Sequence, residues 1–258
     1  RINPDPNTNG GTAPHLHFQV HPFVWQPGSQ IDPVAWLGDA PAPTSAQSNP
    51  SICYGVDLSN HQPDINLKTI AEEGFEFAIL KATEGTWLGP CFQQHYSAAR
   101  EAGLHTAAYV YVRSETSPQE HADALDNVVR AAAGDMSVPI CLDIESGSGT
   151  DPNHWRAIHD EFTSRGYRVI LTYLPRWYWQ QAGSPDLADS GLPPLWSSHY
   201  VEPQRGYASV IYQRAGTGGW RSYGGLLVDL WQFSSEATVA GHAIDVNAYL
   251  GDPRDLFG

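Results

Sequence analysis

Apolar runs recur along the chain at a regular interval from residue 53 onward. They read CYGVDL at 53–58, FAILKA at 77–82, TAAYVYV at 106–112, VPICLDI at 138–144 and RVILTY at 168–173. Between them lie longer, more polar stretches with helix punctuation. Ser117-Pro118 opens one, with Glu120 in its first turn and Gly134 past its end; Asp151-Pro152 opens another, closed by Gly166. Strands spaced by about 25–30 residues with helices between them predict βαβ units and a parallel sheet. After residue 174 the rhythm changes. LWSSHY (195–200), ASVIYQ (208–213) and LVDLWQF (227–233) read as strands, with no convincing amphipathic helix between the last two. The expected fold is α/β: about five β/α units and a strand-rich final third. A TIM-like barrel with an irregular end fits best, and an open doubly wound sheet is the alternative.

Residues 39–51 read DAPAPTSAQSNPS, with nothing apolar larger than alanine, which is linker composition. The expected organisation is a short piece over 1–38, a linker over 39–51 and a main domain over 52–258. The chain begins at Arg1 with no basic-then-apolar leader and has the look of a fragment.

Composition narrows the function classes. With 28 acids against 14 bases the net charge is −14, whereas phosphate backbones and anionic bilayers call for clustered Lys and Arg. No apolar run approaches the ~20 residues needed to span a membrane. The expected partners therefore include neither nucleic acid nor membrane. Cys53, Cys91 and Cys141 have no zinc spacing, and at most one disulfide can form among them.

The acids matter more by position than by number. A strand covered on both faces should be almost wholly apolar, because an unpaired buried carboxylate is costly. Val56-Asp57-Leu58, Leu142-Asp143-Ile144, Val228-Asp229-Leu230 and Ile244-Asp245-Val246 each set one acid between apolar neighbours. Glu145 follows Asp143 by two positions, so a strand turns both to one face, while Leu142 and Ile144 take the other. In a parallel barrel, acids at strand C-termini converge on the open top. Crowded carboxyls raise one another's pKa, which keeps one protonated near neutrality, and glycosidic cleavage needs such an acid beside a negative charge. The plainer reading is that these acids pair with arginines or cap helices. Tyr109, Tyr111, Tyr173, Trp196, Tyr200 and Trp231 fall near the same strand ends, where flat rings stack on sugar faces; any one of them alone reads as core sooner than as a ligand platform, and only the sum suggests a sugar.

Taken in order, GVDLSNHQPDI (55–65), FAILKATEG (77–85), AREAGLHTAAYVYV (99–112), PICLDIES (139–146), LWSSHY (195–200), DLWQFSS (229–235) and AIDVNAYLG (243–251) resemble family 25 glycoside hydrolases. The resemblance implies an irregular barrel of five β/α units plus three further strands. It also implies retaining cleavage of the β-1,4 bond between N-acetylmuramic acid and N-acetylglucosamine in peptidoglycan, with no cofactor and no metal. Position by position, Glu145 matches the family's general acid/base. Asp143 matches the neighbouring acid, a nucleophile or a stabiliser of positive charge; Asp57 and Asp245 match the acids of the first and last strands. Asp229 is expected to shape the site rather than react. Two departures stand out. Val110 occupies a place where many relatives carry His, which implies a missing substrate hydrogen bond, and residues 201–226 are longer and richer in Gly and Arg. The contrasting expectation is a degenerate barrel that binds the wall, or serves in a virion, without turnover.

The N-terminal string GGTAPHLHFQV (10–20) with IDPVAWL (31–37) resembles the C-terminal end of LytM/lysostaphin-type zinc endopeptidases. That resemblance implies that His17 binds zinc and His15 assists. A catalytic zinc takes three protein ligands, so the piece is expected to be inactive by itself. Two wall-cutting signatures in one chain imply a phage lysin, either an endolysin or a tail-associated enzyme in a larger assembly. A secreted wall-remodelling hydrolase is the alternative.

Overall fold

The computed structural model describes residues 52–258, so His15, His17 and the 39–51 linker lie outside the described residues. The strands are β1 (Ile52–Leu58), β2 (Phe77–Glu84), β3 (Trp87–Leu88), β4 (His105–Tyr111), β5 (Ile140–Asp143), β6 (Val169–Tyr173), β7 (Leu195–Ser198), β8 (Val228–Val239) and β9 (His242–Leu250). The sheet runs β1-β9-β8-β7-β6-β5-β4-β2-β3, and β1 also pairs with β2, which closes eight strands into a barrel and leaves β3 as a flap on β2. Pairing is parallel from β1 through β2, β4, β5, β6, β7 and β8. Only β9 closes the ring antiparallel, against both β8 and β1. This is the barrel of five β/α units plus three strands, and the open sheet is excluded.

The helices are α1 (Leu67–Glu72), α2 (Phe92–Glu101), α3 (Pro118–Ala133), α4 (Pro152–Ser164), α5 (Arg176–Gln181), α6 (Ala208–Gln213) and α7 (Pro253–Phe257). The stretch 208–213 is thus a helix and not a strand. Six residues are too few for periodicity to separate the two forms, and Ala208 and Ile211, three apart, are the pair it buries.

Helix α3 starts and stops as its punctuation predicts. The Ser117 side chain accepts from the Glu120 amide while the Glu120 carboxylate accepts from the Ser117 amide, and Gly134 ends the helix at φ 81°. Ser117→Ala removes one half of that exchange. It should cost about 1 kcal/mol and lower the thermal midpoint by about 2–4 °C for a domain this size. A melting curve indistinguishable from wild type would mean that the box contributes nothing.

Strand parity divides the core into two layers. Val56, Leu80, Val110, Leu142 and Trp231 point outward under the helices. Cys53, Phe77, Ile79, Ala107, Cys141, Leu171 and Leu230 point inward and fill the barrel. At the bottom Phe77 stacks on Phe257 of α7 with centroids 4.8 Å apart, and a Cβ on Gly55 would come within 2.1 Å of the Phe77 ring. Only glycine lets that ring plug the barrel. Since the floor is closed, the inward-facing polar residues can gather only at the top. All three cysteines are free thiols.

Candidate active site

The strand C-termini open onto a cleft of about 270 Å³ lined by Asp57, Asp143, Glu145 and Asp245 together with Lys81, Tyr109, Tyr111, Tyr173, Trp196, Tyr200 and Gln232. The loop after β1 adds Ser59, His61 and Gln62. All four expected acids and five of the six expected aromatics therefore meet in one place.

Asp57, the penultimate residue of β1, lies directly across from Asp245 on β9. The Asp57 Oδ2 atom accepts from Gln232 Nε2 at 3.0 Å and from Asn247 Nδ2 at 2.8 Å. Both amides are oriented from behind. Tyr173 and Tyr200 donate to Gln232 Oε1 at 3.0 and 3.1 Å, and Trp196 Nε1 donates to Asn247 Oδ1 at 2.7 Å. Every donor in this web points toward the acids. Gln232 Nε2 also reaches Asp245 Oδ1 at 3.2 Å. Burial pushes the Asp57 carboxyl up to about 6, against the pull of the two amides. Asp245 rises to about 9 through burial and the Asp57 charge beside it. Asp57 is thus the better supported anion of this pair.

Asp143 is the last residue of β5 and is 6% exposed. Its Oδ1 is buried and finds no hydrogen-bond partner among the described residues. Burial, then the Glu145 charge, push its carboxyl well above the usual range, while Lys81 opposes the shift. Glu145 is also raised, by burial first and the Asp57 charge second. Its backbone is firmly held: Glu145 N donates to Ser148 Oγ at 3.0 Å, and Ser148 Oγ donates to Val112 O at 2.7 Å. Tyr111 adds a bond from its hydroxyl to Ser146 O at 2.6 Å. The carboxylate is therefore presented from a fixed turn. Tyr109 lies where all four acids act on its phenol, and burial with their charges keeps it protonated.

Positive charge enters on one side only. Lys81 Nζ lies 2.6 Å from Glu84 Oε2 and 4.9 Å from the Tyr111 ring centroid, and Arg113 Nε donates to Glu84 Oε1 at 3.0 Å. Among the described residues no group of three or more His, Cys, Asp or Glu is arranged to hold a metal ion.

Three expectations need correction. Trp231 does not reach the cleft: it is fully buried in the outer layer, edge-on to Trp220, and its Nε1 donates to His199 O at 2.8 Å. A Cβ on Gly219 would come within 1.9 Å of the Trp231 ring, so the 201–226 segment seats directly on that face. Asp229 lies at the opposite end of the barrel, near the start of β8, where its charge acts on Tyr249. Val110 faces the helices with no exposure, so no hydrogen bond into the cleft is lost at that position.

Lys81, Gln232 and Asn247 were not anticipated. Each is a polar residue inside an apolar run, the same irregularity that marked the acids. Asn247 also follows Asp245 by two, as Glu145 follows Asp143.

Comparison with known proteins places this arrangement. The family model described as glycosyl hydrolases family 25 matches residues 56–242. The chain is 25% identical over 197 residues to the autolytic lysozyme of Clostridium acetobutylicum, which covers 74% of this chain but only 58% of that protein. Lysozyme M1 of Streptomyces globisporus is 26% identical over 217 residues, covering 79% of this chain and 69% of the relative. Among solved structures, the bacterial lysozyme from Streptomyces coelicolor superposes with a TM-score of 0.61 at 25% identity, covering 80% of this chain and 96% of that one.

Proposed function

Because the chain belongs to glycosyl hydrolase family 25, matched over residues 56–242, we propose that it is a peptidoglycan N-acetylmuramidase. It cleaves the β-1,4 bond between N-acetylmuramic acid and N-acetylglucosamine with retention of configuration. The observation that carries the reading is the meeting of Asp57, Asp143, Glu145 and Asp245 in one floor-closed cleft.

Glu145 is the general acid/base. Burial and the Asp57 charge raise its carboxyl, which suits it to give a proton to the leaving oxygen, and the carboxylate that remains takes a proton from the incoming water. The Glu145 charge raises Asp143 in turn, so ionising one carboxyl opposes ionising the other. Positive charge growing at the sugar's anomeric carbon favours the state with the proton on Glu145 and the negative charge on Asp143. Asp143 then stabilises that centre or attacks it; the substrate's acetamido group is the other available nucleophile. Asp57, fixed by Gln232 and Asn247, is the resident anion that draws positive charge into the cleft. Tyr109, Tyr111, Tyr173, Trp196 and Tyr200 form its walls and hold the sugars; Trp231 supports the wall from behind.

The finer reading is a phage lysin, endolysin or tail-associated, acting on the bacterial cell wall. It is supported by the peptidase-like string carrying His15 and His17 ahead of the barrel. Residues 1–38 then belong to a second wall-cutting domain, joined through the 39–51 linker.

Digestion of purified walls, borohydride reduction and mass analysis of the products test the activity. New reducing ends at N-acetylmuramic acid are expected. Reducing ends at N-acetylglucosamine would overturn the bond assignment, and binding without new ends would identify a non-catalytic wall module.

A further inference from the structure

One exposed tryptophan is coupled to the cleft without being part of its lining. Trp87 lies on β3 and is 43% exposed. Lys81 Nζ, which does line the cleft, sits 5.7 Å from the Trp87 ring centroid and 4.9 Å from that of Tyr111. The ammonium thus lies over two rings, one in the cleft wall and one outside it. The wall therefore continues across Lys81 to an indole face open to solvent.

That indole is carried on a stiff support. Residues 84–87 form a tight reversal in which Glu84 pairs with Trp87, and Gly85 N donates to Tyr111 O at 3.0 Å. The return is pressed against β2: Gly89 N donates to Ala82 O at 2.8 Å, and a Cβ on Gly89 would come within 2.7 Å of Lys81 O. A rigid, exposed aromatic face costs little entropy to use in binding.

We propose that Trp87 is a stacking platform for a sugar unit of the glycan strand lying beyond the cleft on the Lys81 side. This rests on the cleft being a glycan site, and it adds a specificity-determining residue for chain length. A cleft of about 270 Å³ cannot enclose an extended polysaccharide, so the strand must cross its rim. On this side the rim is an indole, whose face matches the C–H face of a pyranose ring. A stem peptide has no such flat apolar face, and its occupancy is an outcome of the test.

Calorimetry in the Glu145→Gln background, where turnover does not interfere, measures binding of a disaccharide and a hexasaccharide of wall glycan without peptides. Adding Trp87→Ala should weaken the hexasaccharide about tenfold, the scale of one aromatic contact, and leave the disaccharide unchanged. Trp87→Phe should restore most of the loss. With Glu145 intact, Trp87→Ala should raise KM for the hexasaccharide by a similar factor and leave kcat within about twofold. Equal hexasaccharide affinity with and without Trp87 overturns the platform alone. Equal losses for both sugars overturn it too, by revealing a cleft wall disturbed through Lys81. A defect seen only with peptide-bearing fragments moves the contact to the stem peptide and likewise overturns it. Failure of the Glu145→Gln protein to bind either sugar removes the glycan reading together with the platform.

Discussion

Glu145→Gln is expected to slow the loss of turbidity of purified walls by about 10²–10⁴-fold, the usual contribution of a positioned general acid/base. The change is nearly isosteric and removes only the capacity to give and take a proton. The turn that presents the residue is held through backbone and serine contacts, from Glu145 N to Ser148 Oγ and from Ser148 Oγ to Val112 O. Trp155 closes it with an indole N–H bond to Ser148 O at 3.2 Å. None of these involves the carboxylate. Circular dichroism and the thermal midpoint should therefore stay at or slightly above wild type, so lost activity reads on chemistry. A variant that clears walls at the wild-type rate would remove Glu145 from its role, and the remaining acids would have to be tried in its place.

The same contacts indicate which parts of this site were legible beforehand. Asp57, Asp143 and Asp245 announced themselves because each interrupts a run that burial on both faces would make apolar. Their convergence follows from the barrel alone, since strand ends meet at its top. Parity carries equal information. If Tyr109 and Tyr111 face inward, Val110 must face outward, and it does; if Gln232 faces inward, Trp231 cannot. Lys81 and Asn247 obey the same rule as the acids, although neither was anticipated. What lay beyond the sequence was set by packing. The six-residue stretch 208–213 coils because Ala208 and Ile211 find a surface beside β8, and that surface exists only after the barrel has closed. The web from Tyr173 and Tyr200 through Gln232 to Asp57 joins residues 175 positions apart at its longest link. No local pattern predicts such a link, yet it helps make Asp57 a better supported anion than Asp245.

Asp143→Asn should abolish most activity and, at neutral pH, make the protein more stable. Asp143 is 6% exposed with an unpartnered Oδ1, and burial and Glu145 raise its carboxyl well above the ordinary range. A raised acid is penalised in its charged form by the fold. Below the unfolded-state value, near 4, it is protonated in both states and adds no cost. As pH climbs from there toward the raised folded value, the unfolded chain releases the proton and the folded chain keeps it, so stability falls. An amide carries no charge to be penalised and escapes that loss. At pH 7 the variant should gain about 1–2 kcal/mol, the scale of relieving one strained active-site group, or about 2–8 °C in the thermal midpoint. At pH 3.5 the two proteins should melt together. Activity should fall by about 10²–10³-fold, because nothing else in the cleft can hold negative charge at that position against the reacting sugar. Melting curves at the two pH values, with wall-clearing rates at neutrality, check both halves. A stability gain of equal size at both pH values would trace to packing rather than charge, and a neutral-pH loss would mean that Asp143 is ionised and paired in the fold. An acid that destabilises the barrel is then also one the reaction cannot lose, and substitution at this one position separates the two demands.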